Sequence, residues 1–524
     1  MLYRRKKIDT AISASSEISN GKGARVRWWI LSIIYGIVYC TAIALFSLSV
    51  WYKNTFNISF NDLLFTLLSP VGGTGASTVM DIVRACVPPV ILFLPLYIIV
   101  LLALRGEAPL LKFSRKIASA FCIFLLVISM IFTLFAFKIP QFLTMSNEKS
   151  GLYEIEYIDP NKVNITDKDK NARNLIFIYL ESMETTYASK EDGGEQAEIN
   201  YMPYLTELAK NNISFSDGEG LGGFRSITGT GWTMGALMGT TSGVPFSLAV
   251  FGDKSHNSQG KDGTFANGLT AIGDVLEEKG YNQEFLCGSQ ASFGGRETYF
   301  KVHGNYEIFD LQTARDKGYI AADYHNGFWG YEDSILYEIA RDEVKRLAEK
   351  DEPFNLTMLS VDLHHVGGYF CSECENNYDS KLGNIVSCGD RLLYEFIEWC
   401  KQQDFYKDTT IVIIGDHPRM DTQLVKDVDY YDRTMYNCII NAAIDAPTNY
   451  QNRVFTSLDI FPTTLAAMGF EIEGERLGLG TNLFSILPTL CEKNGEGKEG
   501  YDWLDAEVTK RSDYYKENFV DKKD

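Results

Sequence analysis

"TTIVIIGDHPRM" (residues 409–420) is the stretch on which the fold turns. Six β-branched residues run without a charge and then stop at Gly415, Asp416 and His417. A run this short and this apolar reads as a strand buried on both faces, the kind found in parallel sheets covered by helices. A second run, "NLIFIYLESMETTY" (174–187), has the same build and ends on Glu181. In open parallel sheets, ligands bind beyond the carboxyl ends of the strands. A carboxylate standing there has little reason to serve packing, because burying it unpaired is costly. Two carboxylates and an imidazole meeting at one sheet edge make a site for a divalent cation such as Mn²⁺, Mg²⁺ or Zn²⁺. Taken singly, each of the three could instead cap a helix or pair with an arginine.

Outward from these two runs, strand-like and helical patterns alternate. "QEFLC" (283–287) and "FNLTMLSVD" (354–362) read as strands. "MPYLTELAKN" (202–211), "DSILYEIARDEVKRLAEK" (333–350), "DRLLYEFIEWCKQQ" (390–403) and "TSLDIFPTTLAAMG" (456–469) read as helices. The expected fold class is therefore α/β, a mainly parallel sheet between helices, over residues 173–490. Residues 139–172 read as a polar linker before it, and residues 491–524 as a charged, peripheral tail.

The first 138 residues are of another kind. Residues 28–52, 86–104 and 117–137 carry no charge, and each approaches the ~20 residues needed to cross a bilayer. Basic residues precede the first stretch (Arg4, Arg5, Lys6, Lys7, Lys22, Arg25, Arg27) and separate the second from the third (Arg105, Lys112, Arg115, Lys116). Positive loops stay inside, so the expectation is three transmembrane helices, a cytoplasmic amino terminus and an extracytoplasmic α/β domain on an inner, cytoplasmic membrane. Residues 53–79 would then be an external loop with an interfacial stretch, "FNDLLFTLLSP" (60–70). Net charge divides the same way, +9 over residues 1–138 and −28 over the rest. So acidic a domain makes a poor nucleic-acid binder, and no nucleic-acid partner is expected.

A metal with acidic ligands needs a nucleophile, and "GLGGFRSITGTGWTMGALMG" (220–239) offers Thr233 at the start of an apolar helical run. A hydroxyl at a helix N-terminus sits where anions are favoured, and a nearby cation would lower its pKa. Ser226, Thr228, Thr230 and Thr240 are rivals, and a plain N-cap is the other reading of Thr233. His364 and His365 in "SVDLHHVGG" (360–368) again follow a strand, and an imidazole there could protonate a leaving oxygen. Arg296 in "FGGRETYF" (293–300) suits a phosphate. Of ten cysteines, seven lie beyond the apolar stretches. "CSEC" (371–374) with Cys388 reads as a local disulfide, or as three zinc thiolates that lack a fourth partner.

These residues, in this order, resemble the alkaline phosphatase/sulfatase superfamily. They are most similar to the membrane phosphoglycerol transferases, the lipoteichoic acid synthases and the transferases that decorate periplasmic glucans. The resemblance runs over about residues 174–485 and rests on "LES", "GDH" and "DIFPTTL" (459–465) together, with the span-then-ectodomain layout. It implies one Mn²⁺ or Mg²⁺ (rather than Zn²⁺) held by Glu181, Thr233, Asp416 and His417, with Thr233 as nucleophile. It implies that Arg296 and His364 bind the phosphoglycerol group, with His365 and Trp329 of "FWGYED" (328–333) lining the same pocket. The reaction implied moves glycerol phosphate from phosphatidylglycerol to a glycan or polyglycerolphosphate acceptor and releases diacylglycerol. A phosphoethanolamine transferase shares this fold and threonine, while the C/S-x-P-x-R string of a sulfatase nucleophile is absent. A non-catalytic surface or sensor domain is the reading from another class.

Overall fold

The computed structural model describes residues 2–56, 76–105, 108–167, 173–218, 220–247, 260 and 263–521. Among them are three helices long and apolar enough to cross a membrane: α1 (Leu2–Thr55), α2 (Ala76–Ala103) and α3 (Pro109–Ala136). Pro88, Pro89 and Pro95 lie inside α2. The third helix begins earlier than its uncharged stretch, so Lys112, Arg115 and Lys116 are helical rather than part of a loop. Ser49 Oγ and Thr133 Oγ1 share a hydrogen bond of 2.8 Å between α1 and α3, a polar tie of the kind that holds apolar helices together where hydrophobicity cannot. The interfacial stretch 60–70 lies outside the described residues.

The second compact unit carries the sheet. Its strands in chain order are β1 (Asn174–Leu180), β2 (Gly223–Phe224), β3 (Asn282–Cys287), β4 (Glu307–Phe309), β5 (Phe354–Leu359), β6 (Thr409–Gly415) and β7 (Met435–Ile440). They stand in the order β2-β7-β6-β1-β5-β3-β4. The five strands from β6 to β4 are parallel; at one side β7 runs against them, and β2 pairs antiparallel with β7. Both apolar runs that decided the fold are central neighbours. Alternate side chains of β1 enter two separate cores: Leu175, Phe177 and Tyr179 on one face, Ile176, Ile178 and Leu180 on the other. That is why neither run alternates apolar with polar. Helices α4 (Pro203–Asn211), α6 (Asp333–Ala348) and α7 (Lys381–Cys400) cover the second face, while α5 (Thr233–Ser242) and α8 (Ile460–Ala467) cover the first.

Two expected boundaries give way. Of the expected tail 491–524, the described residues 491–521 are not peripheral: Cys491, Tyr501, Leu504, Val508, Tyr515 and Phe519 are buried in the first core. Helix α9 (Lys498–Thr509) spaces Tyr501, Leu504 and Val508 along one face, and this stripe is hidden in a composition dominated by charge. Residues 139–167 are not an unstructured linker either. Leu152, Tyr153 and Ile165 join the same core, and Ile165–Thr166 pairs with Glu471–Ile472.

Candidate functional site

The parallel register builds the site. Leu180 of β1 is paired with Gly415 of β6, so the next residues, Glu181 and Asp416, leave adjacent strands side by side. Gly415 is required there, because a Cβ would stand 1.9 Å from the carbonyl oxygen of Met183. Ser182 comes next with φ at +52°, a turn that aims its amide at Asp416 Oδ1 (2.8 Å) and its hydroxyl at Glu181 Oε1 (2.8 Å). The amide of His417 also donates to Asp416 Oδ1, at 2.7 Å. Ser360, just beyond β5, accepts from the amide of Glu181 (2.9 Å).

Glu181, Asp416 and His417 are all buried, and one potential ligand atom from each lies within 4.8 Å of the others. His417 Nε2 stands 3.5 Å from Glu181 Oε1 and 3.4 Å from Asp416 Oδ2. Its other nitrogen, Nδ1, faces the carbonyl of Pro418 at 2.9 Å, which turns Nε2 toward the cluster. Asp416 Oδ2 is buried without a hydrogen-bond partner. Burial pushes the pKa of Glu181 up to about 7, with Asp416 adding to it and His417 opposing. Burial also raises Asp416. Two buried carboxylates with an orphaned oxygen and a turned imidazole are a donor set that a divalent cation satisfies.

Thr233 joins them. Its Oγ1 donates to Glu181 Oε2 at 3.4 Å and lies 3.3 Å from His417 Nε2. It is the first residue of α5; Trp232 is the N-cap and makes no side-chain cap bond, so the capping role considered for Thr233 falls away. Two of its rivals are spent elsewhere. Thr230 Oγ1 donates to the carbonyl of Ile227, and Thr240 Oγ1 bonds the carbonyl of Ala236 and the hydroxyl of Tyr179. The Ser226 hydroxyl is buried without a hydrogen-bond partner, and the amide of Thr228 is held by Asp505.

Arg296, Trp329, His364 and His365 form a stack. The His364 ring lies on Trp329 with centroids 4.0 Å apart and on His365 at 4.5 Å, and the Arg296 guanidinium lies 4.9 Å from the Trp329 centroid. Arg296 is buried. Its Nε and one terminal nitrogen are occupied by the carbonyl of Phe293, the hydroxyl of Ser289 and the carbonyl of Gln290, while the other terminal nitrogen has no partner. The charges of Glu181 and Asp416 act on Arg296, and those of His417 and Arg296 act on His364, so stack and cluster share one field. Burial and then the neighbouring His365 hold His364 well below the usual imidazole pKa, and burial lowers His365 to about 4. Both rings are neutral near pH 7.

Sequence reading missed the support behind this edge. Arg419 is buried, bonds Asp421 through two nitrogens (both 2.6 Å) and donates to the carbonyl of Leu363 at 2.7 Å. Glu184 accepts from the Arg419 amide (2.7 Å) and from Arg433 Nε (2.9 Å). Arg419 thus fixes both the His417 turn and the residue before His364. The signal was in "DHPRMD" and "LESME", where Glu184, Arg419 and Asp421 stand four to six residues past the strand ends.

A family model for the sulfatases matches residues 173–470. The chain belongs to the sulfatase family. Curated relatives named phosphoglycerol transferase I match part of the chain: one from Xanthomonas campestris pv. campestris (strain B100) is 32% identical over 258 residues, 48% of this chain and 34% of the relative. One from Xanthomonas euvesicatoria pv. vesicatoria is 31% identical over 319 residues, 60% of this chain and 43% of the relative. The chain thus spans well under half the length of these relatives. A lipoteichoic acid synthase structure, LtaP from Listeria monocytogenes, is similar at 17% identity and a TM-score of 0.45, covering 64% of this chain and 81% of that one.

Proposed function

We propose that the chain is a membrane-anchored, metal-dependent transferase. It moves glycerol phosphate from phosphatidylglycerol, through a phosphothreonine on Thr233, to a hydroxyl of an extracytoplasmic glycan or polyglycerolphosphate, and it releases diacylglycerol. The observation that carries this reading is the approach of the Thr233 hydroxyl to Glu181 and His417 at a sheet edge. The relatives named phosphoglycerol transferase I favour this branch over its phosphoethanolamine counterpart. The basic flanks of the apolar helices favour an inside amino terminus and an outside catalytic domain.

Glu181, Thr233, Asp416 and His417 hold the cation in this reading. Three oxygen donors to one nitrogen suit Mn²⁺ or Mg²⁺. When bound, the ion offsets charge on the phosphodiester and lowers the pKa of the Thr233 hydroxyl. Arg296 offers its unpartnered N–H to a phosphoryl oxygen, and Trp329 with the two imidazoles walls the glycerol side. Thr233 Oγ1 bonds to phosphorus as the bond from phosphorus to the diacylglycerol oxygen breaks, and the hydroxyl proton ends on that leaving oxygen. In the return half the acceptor hydroxyl attacks phosphorus as the bond from phosphorus to Thr233 Oγ1 breaks, and the acceptor's proton passes to His364 and from it to the departing Thr233 oxygen. A neutral His364 suits this base role better than the acid role read from the sequence.

The test uses the full chain in phosphatidylglycerol vesicles with Mn²⁺, scored by diacylglycerol release. Thr233→Ala lowers release on the order of 10³-fold or more with an unchanged circular dichroism spectrum. Undiminished release by that variant would falsify the mechanism. Release from phosphatidylethanolamine in place of phosphatidylglycerol would move the chain to the phosphoethanolamine branch.

A further inference from the structure

Three thiols converge away from the carboxylate cluster. Cys371 and Cys374 stand on the segment just after His364 and His365, and Cys388 lies two turns into α7. Cys371 Sγ is 3.5 Å from Cys374 Sγ and 3.8 Å from Cys388 Sγ, and all three sulfurs lie within 4.8 Å of one another. Cys371 and Cys388 are buried and Cys374 is partly exposed. Backbone amides of Glu373 and Cys374 point at Cys371 Sγ.

Around one ion with metal–sulfur bonds of about 2.3 Å, tetrahedral sulfurs stand about 3.8 Å apart. The thiols already occupy that spacing. A disulfide needs two sulfurs at about 2.05 Å, which means drawing one pair together and leaving the third thiol against it. The local disulfide expected from the sequence is not how the structure holds these residues: all three are free thiols. The surrounding chain holds them in place without help from sulfur. Asn384 of α7 receives the amide of Tyr378 (2.8 Å) and donates to Asn376 Oδ1 and the Tyr378 carbonyl, and Arg391 of α7 donates to the carbonyl of Glu373 at 2.9 Å. Cys388 also lines a polar cavity of 390 Å³ with Glu207, Glu375, Asn377 and Arg391. This gives a cation a route in and leaves an open side for a fourth ligand.

We propose that Cys371, Cys374 and Cys388 form a second cation site for a thiophilic divalent ion of the zinc class, which clips the histidine-bearing segment to α7. Three S–H bonds give their protons to solvent as three metal–sulfur bonds form, and a water takes the fourth position. Nothing is oxidised. The site stands apart from the phosphoglycerol reading, since no part of its test depends on transfer.

The test loads the full-length, detergent-solubilised chain, stripped of metal and kept reduced, with Co²⁺ alone. A thiolate-to-cobalt charge-transfer band in the near ultraviolet, saturating near one ion per chain and bleached by Zn²⁺, is expected. Glu181→Gln keeps the band. Cys374→Ser, at the partly exposed position, weakens Co²⁺ binding at the band by more than about tenfold, the lower bound for losing even an outer-shell partner. In the wild-type chain Zn²⁺ shields all three thiols from iodoacetamide, a readout that needs no variant to fold. A folded, reduced wild-type chain without the band, or thiols that alkylate equally fast with and without Zn²⁺, overturns the proposal.

Discussion

Among the described residues stand two three-residue clusters of opposite chemical character, and they are built in opposite ways. Glu181, Asp416 and His417 are hard donors set on the ends of two neighbouring parallel strands, locked by register. Cys371, Cys374 and Cys388 are soft donors set on a loop and a helix, brought together by side-chain bonds from Asn384 and Arg391. The carboxylates repel one another: each is raised by burial, and Asp416 raises Glu181 further. The thiols carry no such paired charge: the neighbouring sulfurs lower Cys371, and Cys371 in turn raises Cys374 and Cys388. A cation at the first cluster therefore relieves stored repulsion, while at the second it displaces protons.

The comparison breaks first at Glu181. Glu181→Gln is expected to cost the loaded protein on the order of 10²-fold or more in diacylglycerol release. The chelated protein should nonetheless become more stable, by about 1–3 kcal/mol, because one of two buried charges is gone. Thermal melts with and without EDTA check this, and a loss of stability in both would show that repulsion is not stored there. Arg296→Lys keeps the charge but not the fork. It is expected to raise KM for phosphatidylglycerol about 10–10²-fold with a smaller change in kcat, measured by initial rates in mixed vesicles. Cys374→Ser sharpens the contrast by leaving Mn²⁺ content at the first cluster unchanged in metal analysis, with release altered less than about threefold.

The smallest effect concerns a buried carboxylate that has no second carboxylate bonded to it. Asp390 of α7 accepts the amides of Tyr204 (3.0 Å) and Leu205 (2.7 Å) at the start of α4, and burial lifts its pKa from 3.8 to about 7. A raised folded pKa adds stability that is complete below the unfolded value and is lost as pH rises through the folded one. Stability should thus fall between about pH 4 and pH 7, and Asp390→Asn should flatten that slope in denaturant titrations across the window. An unchanged slope would place the titration elsewhere, with Asp333, also raised to about 7 by burial, the next group to replace.

Much of the first cluster was legible from residue order alone. Apolar runs at 174–180 and 409–415 could only be central strands, and a parallel sheet presents the residues just beyond such strands at one edge. Arg419 and Glu184 were not read, because their value lies in bonds to Arg433, Asp421 and Leu363 that no local pattern announces. The carboxyl-terminal segment was misjudged for the opposite reason. Its charges are plain in the sequence, while Tyr501, Leu504 and Val508 show their purpose only against the core they fill.

The sequence by itself determined the sheet's central strands, the three apolar helices and the hard donors at the strand ends. Each of these derives from short-range periodicity and from the direction in which a parallel strand must run. Tertiary structure alone decided that Cys371, Cys374 and Cys388 stand together as free thiols rather than a bridged pair, that Arg296 keeps one terminal nitrogen free, and that residues 491–521 belong to the core. Those outcomes depend on loop paths and helix packing between residues far apart in the chain, where the energy of a contact is settled by its surroundings.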